Sequence, residues 1–584
     1  PYILSLLKVG QTASIVGELD IKKKPLIIGR DFELVKGELI HTGRIVPVYS
    51  EIYGLSSRTI REKVWRVIQS LGENQIPDEL PEVILKNESL ISLDTALRQI
   101  HFPSSLTQLN QAKMRLGFDE LFYIQLSSQM IKNEWRKERV VFPFRIDGSI
   151  EHKIQSFIEL LPFKLTKDQL ISIADIKTDL AREYPMNRFL QGDVGSGKTV
   201  VAAVAAYIAY LNNTQTLIMA PTEILAEQHY KSFQALFAKL HIKIALQTGS
   251  HKSITTSDKI KYDIIIGTQA LLTKGVRIDS VGFIVIDEQH RFGVAQRAML
   301  REKGGHPHLL TMTATPIPRT VALTLYGELD LSAITTMPSG RIPIKSFVVP
   351  PQKRFDAYEW IKKQVDKHHS QVFIICPLVK ESEVETMKSV KAVTAEYKIL
   401  KTKIFPEFSV GLLHGKLKAI EKNKLMEEFR ANKHEILLST SVVEVGIDIP
   451  NATIMLIEGA ERFGLAQLHQ LRGRVGRGAL QSYCLLFTSN DNPQSAGRLA
   501  FFARTENGAE LAAYDLKLRG PGSIFGTMQH GYVDLKIASL TDTALIYRAR
   551  KEVESVLALS PTLLKFPGLL TAIKQKKVDH VSRD

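Results

Sequence analysis

The octapeptide Gly192-Asp193-Val194-Gly195-Ser196-Gly197-Lys198-Thr199 constrains this chain more than any other stretch. It fits G-x-x-x-x-G-K-[ST], a loop whose backbone N–H groups wrap phosphate. Before it, Arg188-Phe189-Leu190-Gln191 is short and half apolar and reads as a strand. After it, Val200-Val201-Ala202-Ala203-Val204-Ala205-Ala206-Tyr207 reads as a buried helix. Strand, glycine loop and helix together aim backbone N–H groups and the positive end of a helix dipole at one point. Gly192, Gly195, Ser196 and Gly197 are the expected cradle. Lys198 is expected to reach the outer phosphates of ATP, and Thr199 to hold Mg²⁺ through its hydroxyl.

A chain of 584 residues is too long for one core, so about three to five domains are expected. Apolar residues make up 44% and charged residues 23%, the balance of a globular protein. The net charge of +15 points to a polyanionic partner, most simply nucleic acid. Only Cys376 and Cys484 are present, both inside apolar runs, which argues for a reducing compartment and against a disulfide framework or zinc site. No apolar run approaches the ~20 residues that span a bilayer, so no membrane partner and a cytoplasmic location are expected. The chain begins at Pro1 rather than Met, and part of the N-terminus is expected to lie upstream.

Along the chain, residues 1–50 alternate apolar and polar positions, as in Gln11-Thr12-Ala13-Ser14-Ile15-Val16-Gly17-Glu18-Leu19. Three or four strands of a partial barrel are expected there, with Lys22-Lys23-Lys24 at a hairpin tip. Residues 51–154 turn helical, and Trp65 and Trp135 read as packing residues. From 155 to 340, apolar runs at Thr216–Met219, Asp263–Ile266 and Phe283–Ile286 alternate with helical sequence, as in a parallel sheet covered on both faces. Pro338-Ser339-Gly340-Arg341 reads as a linker. A second such set fills 341–494, with strands at Gln371–Cys376, Val410–Leu413, Glu435–Leu438 and Thr453–Ile457. Residues 495–584 follow as a C-terminal helical region, whose Lys574, Lys576 and Lys577 read as a solvated basic tail.

Two acids, Asp287 and Glu288, stand at the end of the run Phe283-Ile284-Val285-Ile286, followed by Gln289-His290. A carboxylate there can reach the Mg²⁺ held by Thr199, which is the expectation for Asp287. Glu288 is then the residue that orients or deprotonates the attacking water. In the second set, Gln470-Leu471-Arg472-Gly473-Arg474-Val475-Gly476-Arg477-Gly478 combines glycines for close approach with arginines that can stabilise charge on a γ-phosphate. Arg474 and Arg477 lie three apart, on one face of a helical turn. A basic patch gripping phosphodiester would use the same residue types.

Taken together, these stretches resemble the motor core of superfamily 2 helicases, which implies two RecA-like parallel-sheet lobes with ATP between them. The resemblance places Lys198, Asp287, Glu288, His290, Gln470, Arg474 and Arg477 in catalysis. Leu161-Pro162-Phe163-Lys164-Leu165-Thr166-Lys167-Asp168-Gln169 is similar to the adenine-reading segment, with Phe163 and Gln169 at the base. Ser439-Thr440 through Glu444-Val445-Gly446-Ile447-Asp448 resembles the second-lobe motif in which Gly446 allows close approach and Asp448 meets the ribose. By the same resemblance Pro221, Thr222, Gly249, Thr268, Gln269, Thr313, Thr315, Thr440 and Glu444 grip a nucleic-acid backbone or couple it to hydrolysis.

The segment Asp515-Leu516-Lys517-Leu518-Arg519-Gly520-Pro521-Gly522-Ser523-Ile524-Phe525-Gly526-Thr527-Met528-Gln529-His530-Gly531 narrows this further. It resembles the helical-hairpin translocation motif shared by the RecG and Mfd families, in which Arg498, Arg519 and Gln529 would couple hydrolysis to stepping. Ile100-His101-Phe102-Pro103, Arg115-Leu116-Gly117-Phe118-Asp119-Glu120-Leu121 and Cys376-Pro377-Leu378-Val379 are similar to RecG, and the residues ahead of the motor leave no room for the modules expected of Mfd, so RecG is the expectation. The resemblance implies an ATP- and Mg²⁺-dependent translocase on duplex and branched DNA that regresses stalled forks and migrates Holliday junctions. It also implies a monomer, with a single-strand-binding protein as a further partner. An Mfd-like duplex translocase is the alternative. So is an ATPase without fork-specific unwinding, because residues 1–50 cover only part of an oligonucleotide-binding (OB-fold-like) wedge.

Overall fold

A computed structural model describes residues 8–20, 26–35, 37–72, 75–251, 253, 261–272, 280–288, 305–318, 321–322, 324, 327–338, 340, 342–377, 393–414, 417–440, 449–478, 480–489, 492–519 and 535–575. Contacts divide the chain into two compact units, residues 1–130 with 531–581 and residues 131–530 with 582–584. The C-terminal region read from sequence as 495–584 is therefore shared between them. No described helix is long and apolar enough to cross a membrane.

In the first unit, β1 (Ala13–Asp20) and β2 (Leu26–Leu34) form an antiparallel hairpin with a register shift between Val16 and Gly17. Two strands are thus described where three or four were expected, because residues 37–55 form turns and extended chain. The lysine tip lies outside the described residues. Four helices follow: α1 (Ser57–Ser70), α2 (Glu82–Asn87), α3 (Leu93–His101) and α4 (Leu106–Trp135). Ser56 and Ser92 cap α1 and α3 through their side chains. Arg115 is buried in α4 and donates to Asp78 at 2.7 Å, to Asp119 at 2.9 Å and to the Ile91 carbonyl at 2.6 Å, so its charge is fully paired. Glu120 receives the backbone N–H groups of Lys536, Ile537 and Ala538. Trp65 packs edge-on against Phe102 at 4.7 Å, with the Arg44 guanidinium over its ring.

The second unit holds two parallel sheets. The first lobe contains α5 (Gly148–Glu159), α6 (Lys167–Leu180), β3 (Asn187–Gly192), α7 (Lys198–Leu211), β4 (Gln215–Met219), α8 (Glu223–Leu236), β5 (Ile244–Gln247), β6 (Ile264–Gly267), β7 (Val281–Asp287), β8 (His308–Thr313) and β9 (Asp330–Ile334). Its strand order is β5-β6-β4-β7-β8-β3-β9. The central strands are buried throughout and rich in Ile, Val and Leu, as a sheet covered on both faces requires. Helix α7 is apolar all round and almost wholly buried, and its alanines let α5 and α6 pack against it in one core with the sheet. Trp135 donates to the Pro185 carbonyl at 2.8 Å and packs on the opposite core.

The second lobe contains β10 (Lys345–Val349), α9 (Arg354–His368), β11 (Gln371–Ile375), β12 (Val410–Leu413), α10 (Ala419–Arg430), β13 (Ile436–Ser439), β14 (Ala452–Ile457), α11 (Leu465–Arg472), β15 (Tyr483–Phe487), α12 (Pro493–Arg504) and α13 (Gly508–Arg519). Its order is β10-β15-β14-β11-β13-β12. In both sheets every pairing is parallel. The seven strands read from the apolar runs, and β3 read ahead of the glycine loop, are all present; β5, β8, β9, β10 and β15 are additional.

Asp168, in the first turn of α6, ties the chain leaving β9 to this lobe. It accepts from the backbone N–H and hydroxyl of both Thr335 and Thr336, at 2.7 to 2.9 Å. The Thr335 hydroxyl, against the opposing effect of burial and with the help of the other three donors, holds its carboxyl at about 2, below the ordinary 3.8. A lowered folded value stabilises the fold above 3.8, and that contribution is lost as pH falls toward about 2. Asp168→Asn should therefore lower the thermal midpoint by a constant amount near neutrality. The gap to wild type should close as calorimetry is carried down through that window.

Candidate functional site

Three neighbouring strands deliver the candidate residues side by side. β7 ends at Asp287, β8 at Thr313 and β3 at Gly192, and the order β7-β8-β3 brings these three carboxyl ends to one edge of the sheet. Gly195 and Gly197 adopt φ of +83° and +86°, which L side chains rarely take. A Cβ on Gly197 would stand 2.2 Å from Gln169 Nε2, and one on Gly192 would stand 2.5 Å from Ser196 Oγ. Gln169 itself donates to the Ser196 carbonyl at 2.8 Å, and its Oε1 receives the Thr166 N–H in a capping box. Its amide thus braces the loop on both sides, while Phe163 is 48% exposed beside it in sequence. Ser196 Oγ is buried without a hydrogen-bond partner, a donor that a phosphate oxygen can satisfy.

Lys198 Nζ donates to the carbonyls of Gly192 at 2.6 Å and Asp193 at 3.0 Å. Burial presses its charge down, opposed by Glu288, Asp287 and Asp193, and Arg474 adds to the burial effect. Asp287 accepts from the Glu288 N–H at 3.1 Å and meets His229 Nε2, from α8, at 2.7 Å. Burial raises the Asp287 carboxyl, but His229 and then Lys198 outweigh it and hold it below the ordinary value. Glu288 goes the other way, raised by burial and by the Asp287 charge against Lys198 and Arg474. Neighbouring acids pushed apart are the pattern of a metal-binding carboxylate beside a base. Glu288 also sits at φ 53°, a costly conformation for a residue with a Cβ. Its Oε2 is held near Thr313 Oγ1 at 3.5 Å and the Ala314 N–H at 3.4 Å.

The second lobe enters through α11. Gln470 Nε2 donates to Thr315 Oγ1 at 3.1 Å, which joins the arginine-rich stretch to the end of β8. A Cβ on Gly473 would stand 2.9 Å from Val194 Cβ, so this glycine lets the two lobes touch. Arg474 is buried, and its charge is felt at both Lys198 and Glu288; Arg477 is half-buried. Arg472, by contrast, is turned into its own lobe. It donates to the Phe502 carbonyl at 3.1 Å and stacks over the Phe502 ring at 4.3 Å.

Other expected residues have structural work of their own. Thr222 Oγ1 caps α8 by accepting from the Leu225 N–H, with Pro221 half-buried before it. Glu223 pins the loop after Gly249 by accepting from Ser250 N and Oγ. Thr268 and Gln269 enter a short 3₁₀ turn after β6, and Gln269 is exposed. Thr440 Oγ1 is buried at the end of β13. Arg498 is buried, donating to the carbonyls of Phe463 at 2.7 Å and Glu461 at 2.6 Å, with Asp515 3.7 Å away. His290, Glu444, Gly446, Asp448 and Gln529 lie outside the described residues, as does the side chain of Arg519. Sequence reasoning missed His229 and Asp193, neither of which carries a spacing signal toward its partner.

The residues present fit a hydrated Mg²⁺ on a bound polyphosphate. Thr199 opens α7, and Asp287 is kept ionised. Among the described residues no cluster of three His, Cys, Asp or Glu forms an all-protein cage. Mg²⁺ usually binds in this way, through one or two side chains plus phosphates and water.

Arg474 and Arg477 do not share a helical face as expected, because α11 ends at Arg472 and Gly473 caps it. Two parallel-sheet lobes with this loop, these acids and a glycine-arginine turn facing them define a two-lobed helicase motor. Family comparison agrees: residues 166–324 match the DEAD/DEAH box helicase family, 356–479 the helicase conserved C-terminal domain, and 505–577 the C-terminal part of domain 3 of ATP-dependent DNA helicase RecG. The chain is 41% identical to the ATP-dependent DNA helicase RecG of Streptococcus pneumoniae, over 100% of this chain and 85% of that one. It is 43% identical to that of Synechocystis over 91% of this chain, and spans 64% of that relative's length. The structure of RecG bound to a three-way DNA junction superimposes with a TM-score of 0.75 and 37% identity, covering 94% of this chain and 72% of that one. The chain belongs to the RecG family.

Gly197→Ala should break the loop's geometry. The left-handed conformation costs a side chain about 1–2 kcal/mol, and the new methyl must displace Gln169. A drop of a few degrees in thermal midpoint is expected, with proteolysis between Leu165 and Lys198 faster than in wild type.

Proposed function

We propose that this chain is an ATP-driven, double-stranded DNA translocase that remodels branched DNA, regressing forks and migrating Holliday junctions. The observation that carries the reading is the charge cluster at the lobe boundary. Lys198, Asp287 and Glu288 come from one lobe and Arg474 from the other, in a chain of the RecG family. Relatives of that family are ATP-dependent DNA helicases by name, and one has been solved on a three-way DNA junction.

In this reading the N–H groups of the loop and Ser196 Oγ bind the phosphates, and Lys198 leaves its two carbonyls to meet the outer ones. Thr199 and Asp287 would hold Mg²⁺, which would supply positive charge against that developing on the phosphates. Glu288, raised in pKa and fixed by Thr313 and Ala314, orients the attacking water and takes its proton. Arg474, with Arg477, stabilises the charge on the transferring phosphoryl group. His229 keeps Asp287 ionised and aimed. The Gln470–Thr315 contact passes the state of this site between the lobes and on to α12 and α13, and Arg498, Arg519 and Gln529 are assigned to coupling it to stepping. Pro221, Thr222, Gly249, Thr268, Gln269 and Thr440 are assigned to the DNA backbone, so binding is governed by phosphates and falls steeply with salt. Both walls of the cleft come from one chain, so a monomer suffices.

ATP hydrolysis measured with forked DNA, linear duplex, single strand and RNA tests this. Stimulation by forked and duplex DNA is expected, with kcat reduced about 10²–10⁴-fold in Glu288→Gln and nucleotide affinity lost in Lys198→Ala. Stimulation by RNA alone would overturn the DNA reading.

A further inference from the structure

Asp193 is the second residue of the phosphate loop, where the motif leaves the side chain unspecified. Its carboxylate does not face the loop's interior. Oδ2 lies 3.1 Å from His469 Nε2 and accepts the Gly508 N–H, the first of α13, at 3.3 Å. The site is built around this contact. A Cβ on Gly508 would stand 2.3 Å from Asp193 Oδ1 and 2.8 Å from His469 Nε2, so no other residue fits there without pushing the carboxylate away. Arg472 Nη2, which can only donate, meets His469 Nδ1 at 2.8 Å; this fixes the proton on Nε2, where it is given to Asp193. The next N–H groups of α13, on Ala509 and Glu510, are taken by Asn507 Oδ1.

The partners of Asp193 form one block. Asp515 of α13 accepts from the Leu465 N–H at the start of α11, at 2.9 Å. Phe501 of α12 stacks on Tyr514 of α13 at 3.8 Å, and Arg472 of α11 reaches the Phe502 carbonyl of α12. Helices α11, α12 and α13 are thus cross-tied, and Asp193 is the first lobe's hydrogen-bonded grip on them. On its other side the same residue is held by the nucleotide machinery, because Lys198 Nζ donates to the Asp193 carbonyl at 3.0 Å.

We propose that Asp193 is the positioning residue through which phosphate occupancy of the loop sets the placement of the α11–α13 block. The inference rests on the nucleotide reading above. A polyphosphate draws Lys198 off the Asp193 carbonyl and places negative charge beside the Asp193 carboxylate. Both effects weaken its hold on His469 and Gly508, and the block is released. When the phosphates leave, Lys198 returns and the grip reforms.

Cys376 and Cys484 are both buried, so cysteines introduced at the exposed Lys231 and Ala513 can be labelled selectively. The distance between the labels is measured by pulsed electron resonance with and without ADP, beryllium fluoride and Mg²⁺. Binding of a fluorescent ADP is followed in parallel. Wild type should show a nucleotide-dependent change in distance that Asp193→Ala reduces by more than half, with base pairs displaced per ATP hydrolysed falling about five- to tenfold. Gly508→Ala, which expels the carboxylate, should reproduce this, and the double variant should be no worse than either single one. An unaltered distance change in Asp193→Ala, with nucleotide still bound, overturns the inference alone, as do additive effects in the double variant. Absence of nucleotide binding in wild type overturns the nucleotide reading and this inference with it.

Discussion

The centre of this molecule is a shortage of positive charge. Asp193, Asp287 and Glu288 all act on the single ammonium of Lys198, in surroundings that penalise every one of those charges. Each acid is kept by partners of its own. Asp193 has His469 and the Gly508 N–H, Asp287 has His229 and the Glu288 N–H, and Glu288 has Thr313 and Ala314. Those partners come from both lobes and from five separate stretches of chain. An isolated charge in such a place would be neutralised or expelled, so the network is what keeps the loop, the acids and α11 in register.

The same economy explains the backbone. Glu288 sits in the left-handed region, and its cost is borne because Asp287 must end β7 while the next carboxylate turns toward β8. The glycines at 473 and 508 serve a related purpose across the cleft: each removes the one atom that would keep the lobes from touching at Val194 and Asp193. Close contact, and not the turn alone, accounts for these two positions.

Much of this could be read before any coordinates. The apolar runs marked seven of the thirteen strands in the two sheets, because a strand buried on both faces is continuous and hydrophobic. The loop and the two acids were visible because phosphate chemistry fixes residue types at short spacing. The strands that escaped notice carry interruptions: β8 begins with a buried His308 and contains two threonines, and β10 alternates exposed and half-buried positions at the sheet edge. The ties of Asp193 to Gly508 and of His229 to Asp287 join residues 315 and 58 positions apart, and no local pattern encodes such pairs. Gln169 shows the converse. Its motif was recognisable, yet its amide braces Ser196 and caps α6, a role that only the packed structure displays.

The arginines make the same point more sharply. Arg472 and Arg474 lie two apart on one glycine-rich turn, and sequence alone gives them the same chemistry. Arg472 is the last residue of α11, while Arg474 lies past the Gly473 cap, where the chain has turned out of the helix. Arg474 therefore brings its charge to Lys198 and Glu288, while Arg472 is left to stack on Phe502 and hold the carbonyls of α12 and the turn after it. The end of α11 and the turn that follows it thus present one cation to the helices beyond and a second to the phosphate site. His469 and Gln470, on the preceding turn, add the contacts to Asp193 and Thr315. Any rotation of α11 must move the contacts of His469, Gln470 and Arg472 together, and this geometry lets the chemistry of one nucleotide be felt in α12 and α13.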